Sequence, residues 1–421
     1  MNNFKNLKFE TFYSYLWASF LIVFLVAPKI STLILIISSL FFIYSLIVKN
    51  VIFSFNKLYF TFLLLYFAYL VGVIFTNHAT DALKILENKL SLLIFPILFS
   101  FRLHEKTIFF QRITVGLITG VIISSFLGGI NAVKLFFINH SILSFLTIGI
   151  SPIHHPTYFV VFQMIASVLF VYGYLSKWKG FTRNKLIFFL IFSFIIQCLC
   201  LSLAGLLFLF SIFCVWVLFF LYKKLSRNIF RISAFVLPFL LIGIFFSVPQ
   251  FEGEFNGAFK YAKDYFSNPK EFVLSRKDNL SGTEERLIMW TVTYYEILDF
   301  PMGVGTGNVD EHLSNRLHTF GLHKLAKKNY NPHNQFFQTT LEVGIVSLII
   351  LLFGIFSWIR VAIRNRFWPL LIVCINLIFN CFFESMLQRQ SGIVFYTFII
   401  CLFILFSTNK NQDESISSSS L

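Results

Sequence analysis

The chain has 421 residues, 57% hydrophobic and only 13% charged, with a mean hydropathy of +0.78. So few charges cannot cover the surface of a water-soluble protein this long, where about 25% is usual. The formal net charge is +15, yet no Lys/Arg run is interleaved with aromatics, which argues against a nucleic-acid partner and for the loop asymmetry of a membrane protein.

Apolar runs near the length of a bilayer crossing recur along the chain. They predict an all-α polytopic membrane protein with about twelve transmembrane helices. The expected spans are Tyr13–Pro28, Ser31–Val48, Leu58–Thr76, Leu90–Phe101, Ile108–Gly129, Tyr158–Leu175, Leu186–Leu203, Ala204–Tyr222, Ile229–Val248, Leu341–Ile359, Phe367–Phe383 and Gly392–Ser407. Leu90–Phe101 is short and holds Pro96, which predicts a tilted, kinked or re-entrant segment. Asn131–Pro156 is apolar but broken by Asn139, His140 and Pro152, and a helix lying in the interface fits it better than a further span. The first apolar stretch lacks a small-residue cleavage site and reads as a signal anchor. All six cysteines fall in apolar runs, so no disulfide is expected in the polar loop.

The domains follow: residues 1–248 carry spans one to nine, 249–337 form one long polar loop, 338–408 carry the last three spans, and 409–421 form a Ser-rich tail expected to be disordered. Lys and Arg set the orientation. With the N-terminus inside, the inner short loops hold Lys49, Lys57, Arg102, Lys106, Lys177, Lys179, Arg183, Lys185, Lys223, Lys224, Arg227, Arg231, Arg360, Arg364 and Arg366. The outer short loops hold only Lys29, Lys84, Lys89, Lys134 and Arg389. That asymmetry puts the long loop outside the cytoplasm and the tail inside.

Within the long loop, Phe255–Phe266 has an amphipathic pattern that fits either a helix against the membrane or a packed helix of a small subdomain. Ser281 and Glu284 have capping-box spacing, so a helix should begin near Gly282 and run to Asp299, ahead of Pro301. Arg286 and Trp290 share a face of it. On spacing alone, an Arg stacked on Trp290 or paired with Glu285 or Glu296 is the favoured arrangement. Gly303, Gly305 and Gly307 alternate in a loop able to turn N–H groups toward an anion, although tight turns need glycine for steric reasons too. A helix is expected from just after Pro332 into the tenth span. Its Asn334, Gln338 and Glu342 would form a polar stripe that must face protein or water. His333 sits at the mouth, where a neutral imidazole can take a proton from a hydroxyl; a His merely satisfied at a helix start fits equally well. No His cluster has zinc spacing, and neither a metal nor a cofactor is expected.

These motifs resemble the O-antigen ligase/polymerase superfamily of bacterial envelope proteins. The resemblance rests on Arg286 followed by Trp290, then Pro301-x-Gly303-x-Gly305-x-Gly307, then His333-Asn334 and Glu342-x-Gly344. LENKLSLLIFP (Leu86 to Pro96) and ESMLQRQSGIVF (Glu384 to Phe395) resemble the ligase branch. The resemblance implies a metal-independent membrane glycosyltransferase of the inner membrane, with its site facing the periplasm. The donor would be a glycan on undecaprenyl diphosphate. The acceptor would be lipid A–core oligosaccharide for a ligase, or a second lipid-linked glycan for a polymerase. His333 would be the base and Arg286 the diphosphate grip, with Trp290, Gly303, Gly305, Gly307, Asn334 and Glu342 around the substrate. The chain departs from relatives that carry a Ser-Arg pair at an outer helix end: here Ser202-Leu203 has no cation. Lys89 is the first choice as replacement, then Arg316 or Arg389. Lys89 also fits a snorkelling lysine, and Glu384 and Arg389 could pair across the last outer hairpin.

Ligase is the leading expectation and polymerase the alternative. A non-enzymatic polysaccharide-lipid transporter comes third, because the halves show no internal repeat and the charges gather in one loop. The topology has its own check. A cysteine introduced at Ser267 is expected to react with a membrane-impermeant thiol reagent on intact spheroplasts, and one at Lys177 only after permeabilisation; the reverse pattern would invert the orientation.

Overall fold

The computed structural model describes residues 2–202, 205, 208, 261, 263–276, 280–328 and 330–408. Among these the elements are helical, and the one β contact is a bridge between Phe53 and Phe101. The helices are α1 (Asn2–Val26), α2 (Pro28–Ile47), α3 (Phe60–Gly72), α4 (Ala79–Lys89), α5 (Ser91–Leu98), α6 (Lys106–Asn139), α7 (Pro156–Leu175) and α8 (Arg183–Cys200). They continue as α9 (Pro269–Leu274), α10 (Gly282–Asp299), α11 (Val309–Thr319), α12 (His323–Ala326), α13 (Gln335–Val343), α14 (Ile345–Arg364), α15 (Trp368–Phe383) and α16 (Gln390–Thr408).

Eight helical stretches among the described residues are long and apolar enough to cross a bilayer, and α15 is a shorter apolar helix. Two expected spans, Ala204–Tyr222 and Ile229–Val248, lie outside the described residues except for Gly205 and Phe208, as does most of Phe255–Phe266. The Leu90–Phe101 segment is not a full crossing: α5 has eight residues with Pro96 inside it. The fifth span does not stop at Gly129. Its helix continues to Asn139 and ends on His140 in the left-handed conformation, so 34 residues run unbroken for about 50 Å. Asn131 sends its amide back to the Gly149 carbonyl at 2.9 Å, which folds the following segment against this helix rather than leaving it as a separate helix.

Lipid cannot drive helices together by hydrophobicity, so the bundle depends on packing. Here phenylalanine does much of that. Trp17 of α1 meets Phe398 of α16 with ring centroids 5.3 Å apart, and Phe95 of α5 meets the same ring at 5.3 Å. Both separations suit edge-to-face aromatic pairs. At one end of the bundle a second, smaller core joins α9 to α12, built on Phe272, Val273, Ile288, Met289, Val292, Leu313 and Leu317.

The link between subdomain and bundle is the glycine-rich turn after α10. Val304 and Gly305 donate to the Leu341 and Glu342 carbonyls at 2.8 and 3.1 Å, and Thr306 donates to Gly72 at 3.1 Å. Asn308 accepts from Thr76 Oγ1 at 2.8 Å and from the Asn77 amide at 3.1 Å. The turn therefore ties α3, the link between α3 and α4, and α13 into one knot. Gly303 and Gly344 sit back to back at φ +90° and +87°, and a Cβ on Gly303 would lie 2.6 Å from the Gly344 nitrogen. Gly344 also breaks the expected continuous helix into α13 and α14, and Ile345 donates to the Pro301 carbonyl across that break. Gly303→Ala is expected to destabilise the protein in detergent by about 1–3 kcal/mol through left-handed strain plus the clash. Gly282→Ala, in open space, should leave the thermal midpoint unchanged; equal effects would refute the knot.

Candidate functional site

Ser281 and Glu284 form the capping box that starts α10: Ser281 accepts from the Glu284 amide and Glu284 accepts from the Ser281 amide. This fixes Arg286 one turn in. Its neighbouring acids are engaged elsewhere. Glu285 pairs with Lys328 at 2.6 Å, and Glu296 holds Arg316 at 2.5 Å and His312 at 3.3 Å. Arg286 itself makes no hydrogen bond or ion pair among the described residues, so neither Glu285 nor Glu296 neutralises it. Trp290 lies below it with its indole nitrogen buried and unpartnered, lining a small recess with Tyr265 and Phe337. No stacking of Arg286 on Trp290 is found among the described residues.

His333 stands one residue before the N-cap of α13. Asn334 is that cap, accepting from the Phe336 and Phe337 amides at 2.9 and 3.1 Å. His333 has φ +48°, a strained left-handed conformation for a non-glycine residue, costing on the order of 1–3 kcal/mol. The strain is held by the His333 amide donating to Asn331 Oδ1 at 2.9 Å and by Tyr330 edge-on to the ring at 5.5 Å. His333 Nδ1 lies 3.3 Å from Glu384 Oε2, at the C-cap of α15. The charges of Arg286 and Arg389 also bear on Glu384. Burial pushes the Glu384 carboxyl up, but the His333 hydrogen bond and charge, with Arg286 and Arg389, outweigh it and hold the group below its ordinary value. An ionised carboxylate can only accept, so Nδ1 must carry the proton. A neutral imidazole then has Nε2 free as a base. His155 caps the start of α7; partial burial of its ring, then the Arg389, Arg286 and His333 charges, lower its pKa against the pull of Glu384. His155, Arg286 and His333, from three elements distant in sequence, thus converge on one carboxylate, with Arg389 from its own turn.

The other sequence candidates lie elsewhere. Lys89 is fully buried, and its ammonium donates to the Leu387 carbonyl at 2.6 Å and to Gln388 Oε1 at 2.8 Å. Burial lowers its pKa to about 8 against the opposing charge of Glu342, whose own carboxyl burial raises against Lys89. Lys89 is a pin under the last hairpin and neither snorkels nor stands open to a ligand. Arg316 is committed to Glu296 and to Asp299. Arg389 is exposed and makes no side-chain hydrogen bond or ion pair among the described residues, including none with Glu384. Gly303, Gly305 and Gly307 do not cradle an anion with the amides used in the knot, since those of Gly303, Val304, Gly305 and Thr306 point to protein carbonyls. Asn334, Gln338 and Glu342 form the expected stripe, buried on the inner face of α13, and Gln338 donates to Glu342 at 3.0 Å.

Beside the stripe a cavity of about 610 Å³ opens between α4, α11 and α13, with Asn331, Gln388 and Arg389 on the side of His333. Sequence reasoning missed Glu384 as the partner of His333 because the pairing spans 51 positions. The only signal was an acid at the end of a predicted span.

A family model described as O-Antigen ligase matches residues 186–352. The match covers less than half of the chain but includes Arg286, the glycine-rich turn, His333 and α13. It supports the O-antigen ligase superfamily, whose members are membrane glycosyltransferase-like enzymes. No curated protein matches the chain.

Glu384 supplies a pH test. Its folded pKa is depressed, so the stability it contributes is complete above its ordinary value of 4.5 and is lost as pH falls through the lower folded value. The thermal midpoint of Glu384→Gln in detergent is expected below that of the unsubstituted protein at pH 6, with the gap closing below pH 4.5. A gap that persists unchanged to low pH would show that the ionised carboxylate contributes nothing.

Proposed function

We propose that this chain, of the O-antigen ligase superfamily, transfers a glycan from undecaprenyl diphosphate to a hydroxyl of lipid A–core oligosaccharide on the periplasmic side of the inner membrane. The observation that carries the reading is the His333–Glu384 contact flanked by two guanidinium groups, Arg286 and Arg389, that no acid neutralises by direct contact among the described residues.

In this reading Arg286 and Arg389 grip the diphosphate. Guanidinium forks match phosphate oxygens in pairs, and their charge lets diphosphate leave with the bonding electrons. His333 Nε2 takes the proton from the acceptor hydroxyl as its oxygen forms the new bond to the anomeric carbon and the bond from that carbon to phosphate breaks. Glu384 keeps Nδ1 protonated and steadies the imidazolium that results. A positioned base contributes about 10²–10⁴-fold. Of the three cations proposed from sequence to replace the missing Arg near Ser202, Arg389 is the one whose charge reaches the His333 partner without prior commitment to an acid.

The test is made in cells. His333→Ala and Arg286→Ala, at unchanged protein levels, are expected to cut polymer-bearing lipopolysaccharide at least a hundredfold on a gel, leaving bare core while polymer accumulates on its lipid carrier. Core bearing a single repeat unit would point instead to a polymerase. Normal ladders from both variants would reject the site.

A further inference from the structure

The cavity between α4, α11 and α13 has features that the chemistry at His333 does not use. Two of its lining groups are nine-tenths or more buried and lack a partner on one oxygen: Gln338, 2% exposed, at Oε1, and Glu342, 0% exposed, at Oε1. The Gln388 amide lies beside the Glu342 carboxyl but makes no hydrogen bond of ordinary geometry to that oxygen. Buried acceptors left unmade are costly, and native structures hold few of them. Gln338 Oε1 can only accept, whereas Glu342 Oε1 accepts when ionised and donates when protonated. A hydroxyl, which does both, satisfies either state. The remaining walls carry Asp81, Asp310 and Glu311 against Lys84, His78 and Arg389. Asp81 already pairs with Lys84 at 3.0 Å and Glu311 with His78 at 2.8 Å, while Asp310 makes no such pair among the described residues. With Asp310 set against Arg389, the wall charges come close to balance, so the lining carries no surplus positive charge to hold a phosphate. The volume of about 610 Å³ lies in the range of about 300–1,000 Å³ usual for small-molecule sites, and Arg389 borders both the cavity and the His333 site.

We propose that this cavity is a subsite for neutral, hydroxyl-rich sugar, one or two units of the glycan being transferred or of the glycan receiving it, and that the charged diphosphate is kept at the Arg286–Arg389 side. The inference rests on the transfer reading above for the identity of the glycan, and on the cavity alone for its chemistry.

The test uses the full chain in nanodiscs. Two probes are prepared: the glycan released from its native lipid carrier by mild acid, and the native core oligosaccharide freed of lipid A. Binding is read by saturation-transfer NMR, and transfer is followed with the intact substrates varied one at a time. Ser314→Trp fills the mouth from α11, and Gln338→Leu removes the unpartnered acceptor. Each is expected to raise the KM of one substrate about tenfold, the worth of one or two hydrogen bonds. The maximal rate should stay within twofold; Ser314→Trp should leave the thermal midpoint unchanged, whereas Gln338→Leu, which also takes an amide donor from Glu342, should lower it modestly. A rise confined to donor KM assigns the cavity to the donor glycan, and one confined to acceptor KM assigns it to the acceptor. Unchanged KM values with intact transfer would overturn the subsite. Probe binding that both variants abolish, in a chain that transfers nothing, would keep the subsite and reject the transfer reading. Neither binding nor transfer would overturn both. If Ser314→Trp does not fold, Gln338→Leu alone decides.

Discussion

The arrangement around His333 depends on how one buried lysine and one buried glutamine hold a turn. Leu387 has both backbone groups committed: its carbonyl accepts from Lys89 at 2.6 Å, and its amide donates to Gln335 Oε1 at 2.6 Å. The turn between α15 and α16 is thereby clamped to α4 on one side and α13 on the other. Glu384 and Arg389 are the ends of that turn, and His333 leads into α13. A buried ammonium is costly unless its hydrogen bonds are made. Here two of them are, with the Tyr69 ring 4.5 Å away and the Glu342 charge close by. The lysine does not touch the reacting groups, yet together with Gln335 it helps hold the turn that carries Glu384 opposite the imidazole.

A second constraint supports the first. Because Gly344 turns the chain between α13 and α14, the polar stripe of α13 need not enter the bilayer as a continuation of the span. It lies against the glycine-rich turn, whose amides consume the carbonyls at the end of α13. The strain at His333, the break at Gly344 and the back-to-back contact with Gly303 are therefore connected. They set a short helix with a buried polar face at the rim of an apolar bundle, the place that the proposed transfer requires.

Much of this was legible in sequence where the cause is local. The capping box at Ser281 fixes the start of α10, and apolar runs fix most of the spans. Where the cause is tertiary, sequence pointed elsewhere. Lys89 reads as a cation for the diphosphate or as a snorkelling flank lysine, and its hydrogen-bond partners at residues 387 and 388 are not visible from its own stretch of chain. The alternating glycines fit either an anion loop or a sterically tight turn in sequence, and the close backbone approach at Gly303 and Gly305 comes from residues distant in the chain. Glu384 and Arg389 read as a pair, but Glu384 turns to His333. The extension of α6 past Gly129 escaped for the opposite reason: paired glycines weaken a helix by about 1 kcal/mol each, and the packing of Asn131 on Gly149 outweighs that.

The most direct test of convergence on Glu384 is a cryo-electron-microscopy structure of the full chain in nanodiscs with undecaprenyl diphosphate bound. The account predicts diphosphate density contacting both Arg286 and Arg389, with the His333 ring held on Glu384 and facing the phosphate nearest the sugar position. Diphosphate seated away from both guanidinium groups, or His333 turned from Glu384 toward lipid, would contradict it.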